Sequence, residues 1–374
     1  MKKRKEATLK QWAELYDAAV SIRRLEPWRY LSIEHLTVIE LETGQEPVYL
    51  SAMCSPDGCG SISVYEGQRG YEDIRELLSI DEYDPVYAAF VLTHQSCLAL
   101  HFTEREAVPP EQKDRMKRLG LRFRGKGNWP VFLSMKKRFV PYGLDQQEVI
   151  RMTLALQGYV MAIRSHIEQG LKVDWENGES LFRTYSETQK LWINFPYKLS
   201  PTERNYPGVV ITDELLKKRL QKTKKNHANI LMDLVYMNEM VEDEQWDRPI
   251  NPLMFIAVDR ESGMILDMKL LDPEQQEADA MMEFMLCYIH EHGRMKSVTA
   301  RNLWLLSPLV NMSRICGFKL IEGNNRNMEP LDEALAGFFD MMDGDDEEMD
   351  AMLEAMLESM VDDGDDDDDF DGPF

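Results

Sequence analysis

The sequence predicts an α+β protein: two mixed α/β domains followed by a disordered acidic tail. Three observations carry this expectation. The 374 residues are 44% hydrophobic, enough for two packed cores of ordinary size. Apolar positions recur at helical spacing in some segments and at strand spacing in others. From Asp340 to Phe374 there are 17 Asp and Glu and no Lys or Arg. The rest of the chain carries 49 acids against 43 bases, so most of the net charge of −23 belongs to the tail.

Each element follows from a local signal. Thr8-Leu9-Lys10-Gln11 is a capping box, and Leu9, Trp12, Tyr16, Ala19 and Val20 continue one helical face. That helix ends before Pro27-Trp28. Strand-like runs follow at Ile33–Glu40, Val48–Met53 and Ser61–Tyr65, then a helix at Tyr71–Leu78. Strands are expected at Tyr87–Leu92, Ser96–Phe102 and Val131–Arg138. Leu144–Ile167 is the longest helical pattern, with Met152, Leu156, Tyr159 and Ile163 on one face. Leu181–Tyr197 reads as an extended pair. The first domain is placed at residues 1–200, ending near Leu199-Ser200-Pro201-Thr202.

The second domain, residues 201–340, reads as three strands (Ile230–Met240, Leu253–Val258, Met264–Leu271) and helix Glu274–His292. Strand Ser297–Ala300, helix Ser307–Cys316, strand Phe318–Ile321 and helix Leu331–Met342 complete it. The tail, residues 341–374, holds Met349, Met352, Leu353, Met356, Leu357 and Met360 at helical spacing, then an aspartate run that buries nothing.

Several function classes find no support. No stretch of about 18 apolar residues exists, so no membrane partner is expected. The basic start is followed by Lys10, Glu14 and Asp17 rather than an apolar run, unlike a secretory signal. Five cysteines, an odd and sparse set, fit a reducing, cytoplasmic setting. Cys54, Cys59, His94, Cys97 and His101 do not resolve into two ligand pairs, so neither metal nor cofactor is expected. Cys287 and Cys316 read as core residues. Neither G-x-S-x-G nor a phosphate-binding G-x-x-x-x-G-K-[ST] occurs. His290-Glu291-His292 is a helix end, where a cationic imidazole complements the helix dipole.

Leu121-Arg122-Phe123-Arg124-Gly125-Lys126, Trp129-Pro130 and Val140-Pro141-Tyr142-Gly143-Leu144 resemble a family of bacterial proteins built from domains of unknown function. Pro27-Trp28 and the stretch from Asn251 to Gly323 are similar too. The resemblance covers residues 7 to 325 and does not reach the tail. It implies a bacterial cytosolic setting and a two-part body, and brings no activity or catalytic residue.

The element order of the second domain is similar to that of ribonuclease H-like scaffolds. Such enzymes hold two divalent cations on carboxylates from the first strand, the fourth strand and the last helix. The corresponding positions are Asp233, Asn302 and Glu333, with Asp332 as the alternative to Glu333. An Asn oxygen is a weak ligand, and Arg301 puts a positive charge beside it. The expectation is therefore a degenerate scaffold, on which convergence of these side chains would bear.

Positive charge is concentrated at Lys113–Arg138, against Asp114 alone. Arg122, Arg124, Lys126, Lys136 and Lys137, with Trp129 for stacking, are the candidates for contact with nucleic acid. Lys217 to Lys225 forms a second cluster. A tethered polyanion would compete for such clusters, binding basic surfaces in cis or in trans. The leading reading is a non-enzymatic binding or adaptor protein with an acidic regulatory tail, its partner a protein or a nucleic acid. The alternative is a nucleic-acid-processing protein on a ribonuclease H-like scaffold.

Overall fold

The computed structural model describes residues 4–55, 58–80, 83–200, 202 and 204–342; the tail from Asp343, with its expected disorder, lies outside them. The fold is α+β. The chain divides into two compact units: residues 1–82, 91–204 and 242–249 form one, and residues 83–90, 205–241 and 250–374 the other.

The first unit is a seven-stranded mixed sheet with helices on both faces. Helix α1 (Leu9–Leu25) starts at the Thr8–Gln11 capping box and stops at Glu26, which takes a left-handed conformation. Strands β1 (Thr37–Ile39), β2 (Val48–Cys54) and β3 (Gly60–Glu66) run antiparallel. Helix α2 (Gly67–Leu78) follows β3 with no loop. That junction needs Gly70, where a Cβ would come within 2.8 Å of the Tyr65 carbonyl carbon.

Residues 85–93 form helix α3 (Pro85–Thr93), not the strand expected at Tyr87–Leu92. An unbroken apolar run carries no periodicity to separate helix from strand. The Asp84 carboxylate accepts from Val86 N–H at 3.0 Å and starts the helical turn. The start of α3 belongs to the second unit; strand β4 (Cys97–Thr103), helix α4 (Pro110–Arg118), strand β5 (Trp129–Met135), helix α5 (Gln146–Ile167) and hairpin β6 (Glu179–Ser186)–β7 (Leu191–Lys198) complete the first. The strand order is β5-β4-β3-β2-β1-β6-β7, with β1 and β6 parallel.

Strand alternation distributes the core. Leu50, Ala52, Ile62, Val64, Leu100 and Phe132 face Trp12, Tyr16, Ile22, Met152, Leu156 and Tyr159 of α1 and α5. Val38, Tyr49 and Tyr65 meet Tyr71 and Ile74 of α2 on the other face.

The second unit is a five-stranded sheet. Helix α6 (Glu214–Lys222) precedes strands β8 (Asn229–Tyr236), β9 (Leu253–Asp259) and β10 (Ile265–Leu271). Helix α7 (Glu277–His292), strand β11 (Ser297–Ala300), helix α8 (Leu303–Cys316), strand β12 (Lys319–Glu322) and helix α9 (Glu329–Met342) follow. Helix α8 starts four residues before the expected Ser307 because Asn302 caps it, and Pro308 sits inside its first turns. The strand order is β10-β9-β8-β11-β12: β8, β9 and β10 are antiparallel neighbours, and β11 and β12 run parallel to β8. Leu231, Met254, Ile256 and Val258 pack on Leu331, Leu335 and Phe338 of α9. On the opposite face Phe255 meets Phe284 of α7, ring centroids 5.9 Å apart.

Candidate functional site

Strand β8 is apolar except at Asp233. Ile230, Leu231, Met232 and Leu234 are buried, and Asp233 with them at 2% exposure. Alternation puts Leu231, Asp233 and Val235 on the side of α9. A carboxylate in that layer needs partners, because an uncompensated buried charge costs several kcal/mol.

The neighbouring strand supplies one. Ala300 at the end of β11 lies beside Met232 in parallel register, so Arg301 emerges next to Asp233. Arg301 Nε donates to Asp233 Oδ2 at 2.5 Å. Its two Nη groups fork onto the Asp332 carboxylate in the first turn of α9. Asp84 Oδ1 stands 3.8 Å from Nη1. Asn325 turns its amide nitrogen to Asp84 Oδ1 at 3.1 Å. Gly323 lets the β12–α9 connection approach closely, since a Cβ there would come within 2.9 Å of Arg301 N.

Burial pushes the Asp233 carboxyl above its usual range, while Arg301 pulls in the opposite direction. The guanidinium is held charged: against its own burial, Asp233 and Asp332 raise it above its ordinary value. A divalent-cation site would need carboxylates converging on one open position. Here the centre holds a guanidinium, which carries one fixed positive charge, cannot deprotonate and offers no exchangeable position to a substrate.

Asp233 makes its hydrogen bonds with Arg301 and the Leu234 N–H, not with Asn302 or Glu333. Asn302 is buried, and its Oδ1 accepts from Trp304 N–H at 2.9 Å as the cap of α8. Glu333 is exposed, one position round α9 from Asp332, which makes the contact instead. Asp84 and Asn325 belong to the cluster without having signalled it, since each comes from a connecting segment.

A second polar cluster lies in the first unit, beside a cleft of about 430 Å³ lined by Arg69, Asp73, Lys136, Lys137, Glu148 and Arg151 among others. Asp73, 1% exposed, accepts from Ser96 N–H at 3.1 Å and from Lys137 Nζ at 2.9 Å. Arg204 bridges Asp73 and Glu76. On the far wall Glu148 accepts from Ser134 Oγ at 2.7 Å and from Arg4 at 2.7 Å, with Arg248 at 3.5 Å and Lys136 at 3.7 Å. Burial works against its ionisation, but the Asp145 N–H, the Ser134 hydroxyl, Arg248 and Arg4 together lower its carboxyl. Arg151 pairs with Glu66 at 2.6 Å. Cation and carboxylate thus alternate along the walls of the cleft.

His94, 1% exposed, lies among the same cations. Burial pushes its imidazole well below the ordinary value, and Lys137, Arg138 and Arg204 push the same way. Below about pH 6.5 the unfolded chain therefore binds a proton that the folded one refuses. Stability should fall with falling pH by up to about 1.4 kcal/mol per pH unit for this proton. Half-buried His101, lowered by its partial burial, adds in the same direction. Urea melts from about pH 7 to pH 5 should show the decline, and His94→Gln should flatten it by about one proton. An unchanged slope in that variant would refute the assignment.

The basic candidates separate in space. Arg122, Arg124 and Lys126 are exposed on the loop before β5, and Lys126 stands 3.5 Å from Glu104. Lys136 and Lys137 follow β5, a seven-residue strand. The strand between the two sets is itself about 20 Å long. Trp129 packs on Phe123, ring centroids 5.9 Å apart, against the α1–α5 core, and Lys137 is engaged by Asp73. Cys97 and Cys316 are buried, whereas Cys287 is exposed on α7 rather than in the core. Among the described residues no three His, Cys, Asp or Glu side chains gather as a metal site, and no helix is long and apolar enough to cross a membrane.

Residues 12–183 match a family model described as Domain of unknown function (DUF7309). Residues 216–339 match a second, Domain of unknown function (DUF6930). No curated protein and no solved structure matches the chain. The two matches are to domains of unknown function: the first takes in strands β1 to β5 and part of β6, the second the five-stranded sheet with the buried arginine.

Proposed function

We propose that this chain is a non-enzymatic binding protein of the bacterial cytosol, and that its second unit is a ribonuclease H-like scaffold without metal chemistry. The observation that carries the reading is Arg301 among Asp233, Asp332 and Asp84. Three antiparallel strands followed by two parallel to the first, with helices between and after, support the scaffold. A guanidinium at the focus of the carboxylates supports the loss of catalysis, because a divalent cation would have to displace a charge that the fold cannot neutralise.

The expected result is no heat of Mg²⁺ or Mn²⁺ binding to the full chain by titration calorimetry, and no cleavage of a labelled oligonucleotide in millimolar Mg²⁺. Binding that disappears in Asp233→Asn would overturn the reading.

Contact with nucleic acid keeps one observation in its favour, the exposed loop of Arg122, Arg124 and Lys126. Fluorescence anisotropy of a labelled single strand at low and high salt, on the full chain and on the chain ending at Met342, decides it. Binding that appears on truncation and falls with salt supports it. Absence of binding to both at low salt removes it.

A further inference from the structure

Strands β2 and β3 turn two cross-strand pairs toward α2. Tyr49 lies opposite Tyr65 and Ser51 opposite Ser63, on the same face by strand alternation. The tyrosine pair sets the height of the helix, since Tyr49 stacks on Tyr71 of α2 with ring centroids 4.6 Å apart. Serine is much shorter than tyrosine, so the second pair leaves a hollow beneath the same helix. The hollow is a pocket of about 290 Å³. Its floor is Ser51, Ser63 and Tyr65, and α2 walls it with Ile74 and Leu77. Met53 and Leu92 stand at its rim, 45% and 56% exposed. Every lining residue belongs to the first unit, and none is an acid or a base of the ordinary charged kinds. Burial pushes the Tyr65 phenol well above its ordinary value, so it too stays neutral.

Size and polarity together define the occupant. An apolar cavity of about 150 Å³ already takes up a benzene-sized guest. This pocket has room for a small ring system or a medium-length chain, and too little for a helix about 10 Å across. A charged guest would shed its water there and meet no opposite charge. An apolar pocket with a few placed polar groups is the usual form of a small-molecule site. The polar demand comes from Ser51. Its hydroxyl donates to the Ile33 carbonyl oxygen at 2.5 Å, so its proton is committed and its Oγ remains an acceptor. Ser51 is 2% exposed, where water competes least for that acceptor. A matching guest therefore brings a donor of its own.

We infer that the pocket between α2 and strands β2 and β3 binds one small, uncharged, apolar molecule whose terminal O–H or N–H donates to Ser51. This goes beyond the reading of the second unit. The pocket lies in the first, and it stands whether or not Arg301 excludes a metal.

The test titrates the full chain with N-phenyl-naphthylamine, an uncharged fluorophore with one N–H that brightens in apolar surroundings. Saturable binding of one probe per chain is expected. Ser63→Leu fills the floor and should weaken the probe at least tenfold. Met53→Lys and Leu92→Glu put a charge at the rim on exposed positions, so thermal melts should show the fold intact while each weakens the probe several-fold. Octanol should displace the probe. Octanoate, charged at the same end, and the methyl ether of octanol, which lacks the donor, should each need at least tenfold higher concentration. Absence of saturable binding overturns the proposal. So does binding indifferent to all three substitutions, which would place the probe elsewhere. Displacement by octanoate or by the ether as readily as by octanol overturns it too.

Discussion

Arg301→Met should cost the second unit about 3–5 kcal/mol of stability, the range for leaving buried carboxylates without their cation. Asp233 is the reason. It is 2% exposed, burial already pushes its carboxyl up, and Arg301 is the cation that offsets this. Without Arg301, Asp233 must take up a proton or remain as an unpaired charge, and Asp332 and Asp84 then repel it. The loss should be larger at pH 7 than at pH 4.5, because protonation relieves it. Arg301→Met combined with Asp233→Leu should recover most of the loss, since an apolar pair of matched volume is often neutral. Urea melts of the single and double variants at both pH values check this. A loss below about 1 kcal/mol in the single variant would mean that the pair is exposed to water in solution.

The Arg301→Met variant also bears on what the scaffold has given up. Removing the guanidinium leaves Asp233, Asp332 and Asp84 without their shared cation, and oxygen-ligated Mg²⁺ or Ca²⁺ is the kind of cation that could take its charge. Millimolar divalent cation should then restore part of the lost stability in the variant and none in the wild type, because a ligand of the folded state alone stabilises it.

Much of this was legible in the sequence. The three strands and the crossover helices of the second unit follow from periodicity, and they lie close to where spacing puts them. Asp233 was visible because a carboxylate inside Ile230–Leu234 breaks an apolar strand, and Arg301 because it ends the next parallel one. What could not be read is which way a side chain turns at a strand end. Asn302 faces α8 because capping Trp304 N–H satisfies an orphan donor, and Asp332 rather than Glu333 reaches Arg301 because of the rotation of α9. The basic run Lys113–Arg138 looked contiguous because sequence distance hides that β5 carries its two halves to opposite ends. Helix α3 was lost to a uniformly apolar run, and with it Asp84 as a member of the cluster.

Asp73→Ala should be the corresponding loss in the first unit, again about 3–5 kcal/mol. Asp73 is the shared acceptor of Lys137, Arg204 and Ser96 N–H at the base of the cleft. Its removal takes a carboxylate from both cations, while Arg204 keeps Glu76. The lysine gives the substitution a signature that a simple cavity lacks. Burial already lowers the Lys137 ammonium below its ordinary value, and Asp73 is the leading influence holding it up. Without Asp73 its folded value drops further, while in the unfolded chain it stays near 10.4. Between those two values the unfolded chain binds the extra proton, so stability rises with pH. The variant should therefore recover part of its loss as pH is raised from about 7 to 9.5, and more steeply than the wild type. Lys137→Met in the Asp73→Ala background should return a further share by removing the buried charge, and should abolish the extra alkaline recovery. Thermal melts of the three proteins across that range decide the matter. A pH-independent loss would show that Asp73 acts by packing alone, with Lys137 free to reach water along the cleft.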